Sequence, residues 1–194
     1  MSAEGLGRTR TFLCGAAAAG LAALAVAFGV IETGVYDATA ISPHDPVSAW
    51  VTHTTMIHSV QRNARTIEAP RRFTGQQVLA GLREYGTDCA MCHGAPAVAH
   101  AQWVDGMTPA PPYLLDAARH WSARELFYIV RNGVKMTAMP AWGLSRSDVE
   151  VWDMVAFLEA LPAISPAEYA NLDQTRPPIS PGSRFPLASR TGGR

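Results

Sequence analysis

Cysteine is scarce in this chain, with three in 194 residues, and so is any excess of one charge. Two of the cysteines, Cys89 and Cys92, sit three apart. That leaves Cys14 without an intrachain partner, so no disulfide framework is implied. Basic and acidic residues balance at 16 each. A nucleic-acid footprint needs a clustered surplus of Lys and Arg, and none is present, so nucleic acid is excluded as a partner. No fixed-period repeat is visible, which argues against solenoid and propeller folds. What is abundant is Gly, with 16, and Pro, with 14. That balance suits a loop-rich chain of one modest domain plus extensions.

Charge is also missing from residues 12–31, an Ala- and Gly-rich apolar run. Its length suffices to cross a hydrocarbon core of roughly 30 Å. Arg8 and Arg10 precede the run, while Glu32 and Asp37 follow it. The positive-inside rule then keeps residues 1–11 in the cytoplasm and exports the rest, placing the chain in a bacterial inner membrane as a single-pass protein facing the periplasm. The rival reading is a cleaved secretory signal. The run exceeds a usual h-region, and no small-x-small site stands just before Glu32, so an uncleaved anchor is expected.

Residues 32–73 read as a periplasmic neck. A loop through His44 and Pro46 leads to a helix from Val47 to about Ala64, with Val47, Trp50, Val51, Thr54, Ile57 and Val60 near one face. His44, His53 and His58 invite a metal hypothesis. However, His53 and His58 are five apart and do not share a helical face, so they read as polar residues on a packed helix. Arg62, Arg65, Arg71 and Arg72 form a loose basic cluster, suited to lipid head groups, an acidic partner or plain solvation.

The organising stretch is Cys89-Ala90-Met91-Cys92-His93. Cys-x-x-Cys-His is the attachment site for c-type haem. One turn separates the thiols, so each reaches one vinyl group of the porphyrin, and His93 then faces the iron. Thr74-Gly75-Gln76-Gln77 has the form of a capping box. It opens a helix whose apolar stripe, Val78, Leu82 and Tyr85, leads to Cys89. Residues 94–121 are loop-like, and their Pro109-Ala110-Pro111-Pro112 run holds an extended path. A metal-bound histidine commonly donates its second ring nitrogen to a carbonyl, and a carbonyl near Pro111 or Pro112 is placed to accept. His100 and His120 are alternative ligands in principle. Ser122-Ala123-Arg124-Glu125 starts another helix, with Leu126, Ile129 and Val130 inward, that stops at Gly133. A last helix follows Ser147, with Val151, Met154, Val155, Leu158 and Leu161 as its stripe. Residues 164–194 are Pro-, Ser- and Gly-rich and are expected to be a mostly disordered tail.

Residues 74–163 resemble a class I c-type cytochrome. The marks are Cys89, Cys92 and His93, the Pro-rich run, Asn132-Gly133, Met139-Pro140-Ala141-Trp142, and a final helix with Trp152 and Phe157. The resemblance implies an all-α fold, a small helical domain around one covalently attached haem c, preceded here by one transmembrane helix. It implies Met139 as the distal iron ligand opposite His93, with Met136 the nearest competitor, and Trp142 and Pro111 beside the cofactor. Iron held by His and Met has no open position, so the expected role is electron transfer and not enzymatic catalysis of a small-molecule substrate. The expected partners are redox proteins: a dehydrogenase or quinol-oxidising complex on one side, an oxidase or soluble cytochrome on the other. The competing readings are a fixed haem subunit of a dehydrogenase complex, a haem sensor or enzyme whose Met139 dissociates, and a haem-free thiol oxidoreductase.

Overall fold

The computed structural model describes residues 3–174, which divide into two compact units after Ser42. The described residues are helical, with no strands.

The first unit is dominated by helix α1, Ala3–Thr33. Its segment Gly7–Thr33 is long and apolar enough to cross a membrane and buries nothing against protein. At 1.5 Å per residue it spans about 40 Å. The Thr33 hydroxyl donates to the Gly29 carbonyl at 2.6 Å, and Gly34, at φ +63°, turns the chain out of the helix. The helix runs well beyond residues 12–31. Charge decides where an apolar span ends, but Arg8 and Arg10 are good helix formers and do not end the helix itself.

In the second unit, α2 spans Pro46–Asn63. Asp45 caps it, its Oδ1 accepting from the N–H groups of Val47 and Ser48 at 3.1 and 3.0 Å, and Pro46 supplies a pre-set φ at the first turn. The expected apolar face is only partly used. Val60 and Ala64 are buried, whereas Val47, Trp50 and Val51 are exposed, Trp50 at 67%. Burial is confined to the end of the helix that meets the rest of the unit, and the first turns carry the same pattern with nothing against it.

Helices α3, Gly75–Glu84, and α7, Asp148–Ala160, make the tightest packing. The Thr74 capping box opens α3: the Thr74 N–H donates to Gln77 Oε1 at 3.0 Å, and the Gln77 N–H donates to Thr74 Oγ1 at 3.3 Å. At the crossing stands Gly81. A Cβ there would lie 1.8 Å from the Asp153 carbonyl oxygen and 2.8 Å from Phe157 Cβ, so glycine is what admits the approach. Val151, Met154, Val155, Leu158 and Leu161 are all buried as the stripe predicts. Ala156 and Phe157 are buried as well, so α7 is covered on more than one face.

The aromatic core follows α7. Tyr85 packs on Phe157 with ring centroids 4.9 Å apart, and Phe127 stacks on Trp152 at 4.2 Å. Beyond Glu84 the backbone does not stay α-helical. Residues Tyr85–Cys89 form one π turn before the short helix α4, Ala90–His93. The loop-like stretch after it contains a 3₁₀ turn at Gln102–Gly106 and the four-residue helix α5, Ala117–His120, both too short for apolar periodicity to reveal. Helix α6, Ala123–Asn132, buries Leu126, Phe127 and Val130, with Ile129 half-buried.

The tail expectation is corrected over its first part. Helix α8, Pro166–Gln174, follows directly on residue 165. The Ser165 N–H donates to Glu168 Oε2 at 2.8 Å, and the Glu168 N–H returns to Ser165 Oγ at 3.3 Å. Tyr169 is 4% exposed and its ring lies 6.5 Å from that of Phe157. A capping box and one aromatic anchor outweigh a polar composition. Residues 175–194 lie outside the described residues.

Candidate functional site

The π turn delivers the Cys89-to-His93 motif to the core side of the unit. Tyr85, at its start, is buried and donates its hydroxyl to the Gly94 carbonyl at 2.6 Å, tying the first residue of the turn to the residue after His93. A π turn inserts an extra residue into the helical register, which moves the following side chains round the axis. Gly94 takes φ +69°, and a Cβ there would meet the Tyr113 ring at 2.6 Å. The Met91 carbonyl accepts from the Ala101 N–H at 2.9 Å, so the loop is pinned back onto the motif.

His93 Nδ1 donates to the Pro112 carbonyl oxygen at 2.7 Å. A carbonyl only accepts, so Nδ1 carries a proton, and in the neutral ring this leaves the lone pair on Nε2. The acceptor is Pro112 and not Pro111. In an extended proline run successive carbonyls point about a third of a turn apart, so only one of two neighbours faces the ring. Burial lowers the His93 pKa, against the opposing pull of the Pro112 bond.

Cys89 and Cys92 are free thiols, each partly buried. Burial, then the carboxylates of Asp88 and Glu84, push the Cys89 thiol up to about 12.

Met139 sits in the strap between α6 and α7. Gly133, at φ +67°, lets the chain double back: a Cβ there would lie 2.6 Å from the Pro140 carbonyl carbon. The Met139 N–H donates to Thr137 Oγ1 at 3.1 Å, and its carbonyl accepts from the Val134 N–H at 3.3 Å. Met139 is half-buried against the core and Trp142 is buried. Met136, the competitor, is 81% exposed and holds φ +62°.

The remaining histidines are spread out. His44, His53, His58 and His120 are exposed, with His120 Nδ1 3.0 Å from the Asp116 carbonyl oxygen. His100 is half-buried, its Nε2 3.6 Å from an Asp105 carboxylate oxygen. Among the described residues no three His, Cys, Asp or Glu side chains gather into a metal cage.

One cluster was not legible in the sequence. Arg146 Nε and Nη2 donate to Asp88 Oδ2 at 3.1 and 2.6 Å. Nη2 also lies 3.0 Å from Glu84 Oε2, and Nη1 lies 3.8 Å from Glu150 Oε1. Burial raises the Glu84 pKa, with Arg146 pulling the other way. Asp88 and Arg146 are 58 positions apart, and nothing local in either segment announces the pair.

Two thiols one turn apart and an imidazole that donates from Nδ1 therefore share one turn, while Met139 on the strap and Cys89 both pack against the core that holds Leu82, Tyr85 and Trp142. That set fits a covalently attached haem with soft axial ligation. The family model described as cytochrome c oxidase, cbb3-type, subunit III matches residues 76–158, from the first turn of α3 nearly to the end of α7. No curated protein and no solved structure matches the chain.

Proposed function

We propose, from the family match over residues 76–158, that the chain is a membrane-anchored mono-haem cytochrome c of class I type that carries single electrons. The reading rests on the His93 Nδ1 to Pro112 bond of 2.7 Å beside the two thiols. It holds the imidazole in the tautomer an iron ligand needs and fixes the ring. Cys89 and Cys92 would form the thioethers, with His93 as the proximal and Met139 as the distal ligand. When bound, the haem supplies a one-electron ferric–ferrous couple, whose potential His and Met ligation raises. The protein's part would be to hold the iron through His93 and Met139, exclude small ligands and keep the surroundings apolar. α1 would anchor the domain on the periplasmic face of the inner membrane. The donor would be a dehydrogenase or quinol-oxidising complex and the acceptor an oxidase or soluble cytochrome.

Thiol redox chemistry is disfavoured by the Cys89 thiol itself. A redox cysteine needs a depressed pKa, and here burial and two carboxylates act in the opposite direction. A second reading, the domain as a fixed subunit of a membrane oxidoreductase complex, is favoured by the exposed Val47, Trp50 and Val51 face of α2. The subunit named by the matching family model is also part of a complex.

Ligand replacement tests the proposal. Unaltered protein should resist extraction of its haem by acid acetone, show the weak far-red sulfur-to-iron band and, when reduced, bind carbon monoxide slowly. Met139→Ala should abolish the band and open the iron to carbon monoxide with the haem still attached. Met139→His should lower the potential, within the ~0.8 V range that axial ligands command. Met136→Leu should do none of these. Prompt carbon monoxide binding by the unaltered reduced protein would refute the carrier reading.

A further inference from the structure

We infer that Arg146 is a positioning residue for the iron, clamping the strap that carries Met139 to the turn that carries Cys89. This rests on the Met139 ligation proposed above and adds the device that would hold it.

The strap is fastened at both ends. At the leading end, Gly133 admits the Pro140 backbone, and Thr137 and Val134 hold Met139 by its own N–H and carbonyl. Beyond Trp142 the backbone closes tightly, with the Ser145 and Arg146 N–H groups donating to the Trp142 carbonyl at 2.9 and 2.8 Å. These bonds are local and orient nothing toward the thiol-bearing turn. The side chain of Arg146 supplies that link. Its guanidinium reaches Asp88, the residue immediately before Cys89, and Glu84, one turn earlier at the end of α3.

Burial gives the pair weight. The side chains of Arg146 and Asp88 are 20% and 9% exposed, unlike an exposed ion pair that solvent screens. A planar guanidinium with several fixed donors suits three carboxylates on three elements, and an ammonium does not. Removing the cation would leave Asp88 and Glu84 as neighbouring carboxylates with little solvent, which separates the turn from the strap. Under the proposed ligation, the contact most exposed to that separation would be the one Met139 sulfur makes to iron, because thioether is a weak ligand for ferric iron.

The test uses the full-length haem-loaded protein in Arg146→Met, Arg146→Lys and Asp88→Asn forms. Arg119→Gln serves as a control, because it breaks only an exposed ion pair to Asp116 at 3.3 Å. At a temperature where far-ultraviolet circular dichroism shows every variant folded, Arg146→Met and Asp88→Asn should weaken the far-red band and lower the potential. The carbon monoxide association rate of the reduced protein should rise roughly tenfold or more, the factor that ~1.4 kcal/mol represents. Arg146→Lys should recover part of each signal, and a variant combining Arg146→Met with Asp88→Asn should show no more than the larger single effect. A melting temperature that falls while band, potential and carbon monoxide rate stay at wild-type values would overturn the inference. So would equal effects from Arg119→Gln. If the unaltered protein itself lacks the band, the ligation reading fails first, and the clamp loses its object.

Discussion

At the residue scale, single atoms decide how closely elements meet. Gly81 sets the α3–α7 crossing through what it lacks. With a Cβ placed 1.8 Å from the Asp153 carbonyl oxygen, Gly81→Ala must push the two helices apart. Overpacking of this kind costs about 3 kcal/mol, and equilibrium urea unfolding of the haem-loaded protein should report a loss of that order. The helix propensity of alanine would favour the substitution by ~1 kcal/mol, so a neutral or stabilising result would mean that the crossing is looser than the structure has it. Met139 and Arg146 belong to the same scale: in the proposed ligation one would supply a sulfur, and the other would hold the backbone that presents it.

Caps govern the elements. Ser147 and Glu150 open α7, the Ser147 N–H and hydroxyl donating to Glu150 Oε2 at 2.7 and 2.8 Å. Those bonds, the backbone one first, hold the Glu150 carboxyl below its ordinary 4.5. A depressed carboxylate contributes stability that is fully present above 4.5 and is lost as pH falls through the lower folded value. Ser147→Ala should therefore cost about 1 kcal/mol at neutral pH, and the gap from wild type should narrow as the pH drops below 4.5. Denaturant midpoints measured for both proteins across that window check it. The comparison is between variants because Glu84, raised by burial, works with the opposite sign over the same range. A gap independent of pH would show that the hydroxyl caps backbone alone.

For the whole molecule, the question is which unit the membrane keeps. The segment Gly7–Thr33 has the length and composition of a span. If it is retained, the full chain should resist alkaline carbonate extraction, and peptides covering residues 12–31 should be recovered from the membrane fraction. A soluble haem protein whose chain begins at or after Glu32 would identify the span as a cleaved signal instead. The proposed electron-transfer reading of the second unit survives either result, because an anchor and a cleaved signal would both export that unit.

The sequence by itself determined the parts whose chemistry is local. Cys89, Cys92 and His93 carry their meaning in spacing alone. The capping boxes at Thr74 and Ser122 and the stripe of α7 depend on residues within a few positions, so they could be read without the fold. Composition was a weaker guide, as α8 shows: Ser165, Glu168 and Tyr169 form a cap and an anchor inside a segment whose polarity suggested no structure. Periodicity likewise implied a packed face on α2 but could not say that Val47, Trp50 and Val51 would find nothing to cover them. Tertiary structure alone decided the choice of Pro112 over Pro111, the π turn at Tyr85–Cys89, and the meeting of Arg146 with Asp88. Each depends on where a carbonyl or a charge points after distant segments have packed. Residues 58 positions apart leave no pattern in the chain between them, because only burial in a shared core makes their interaction worth its desolvation.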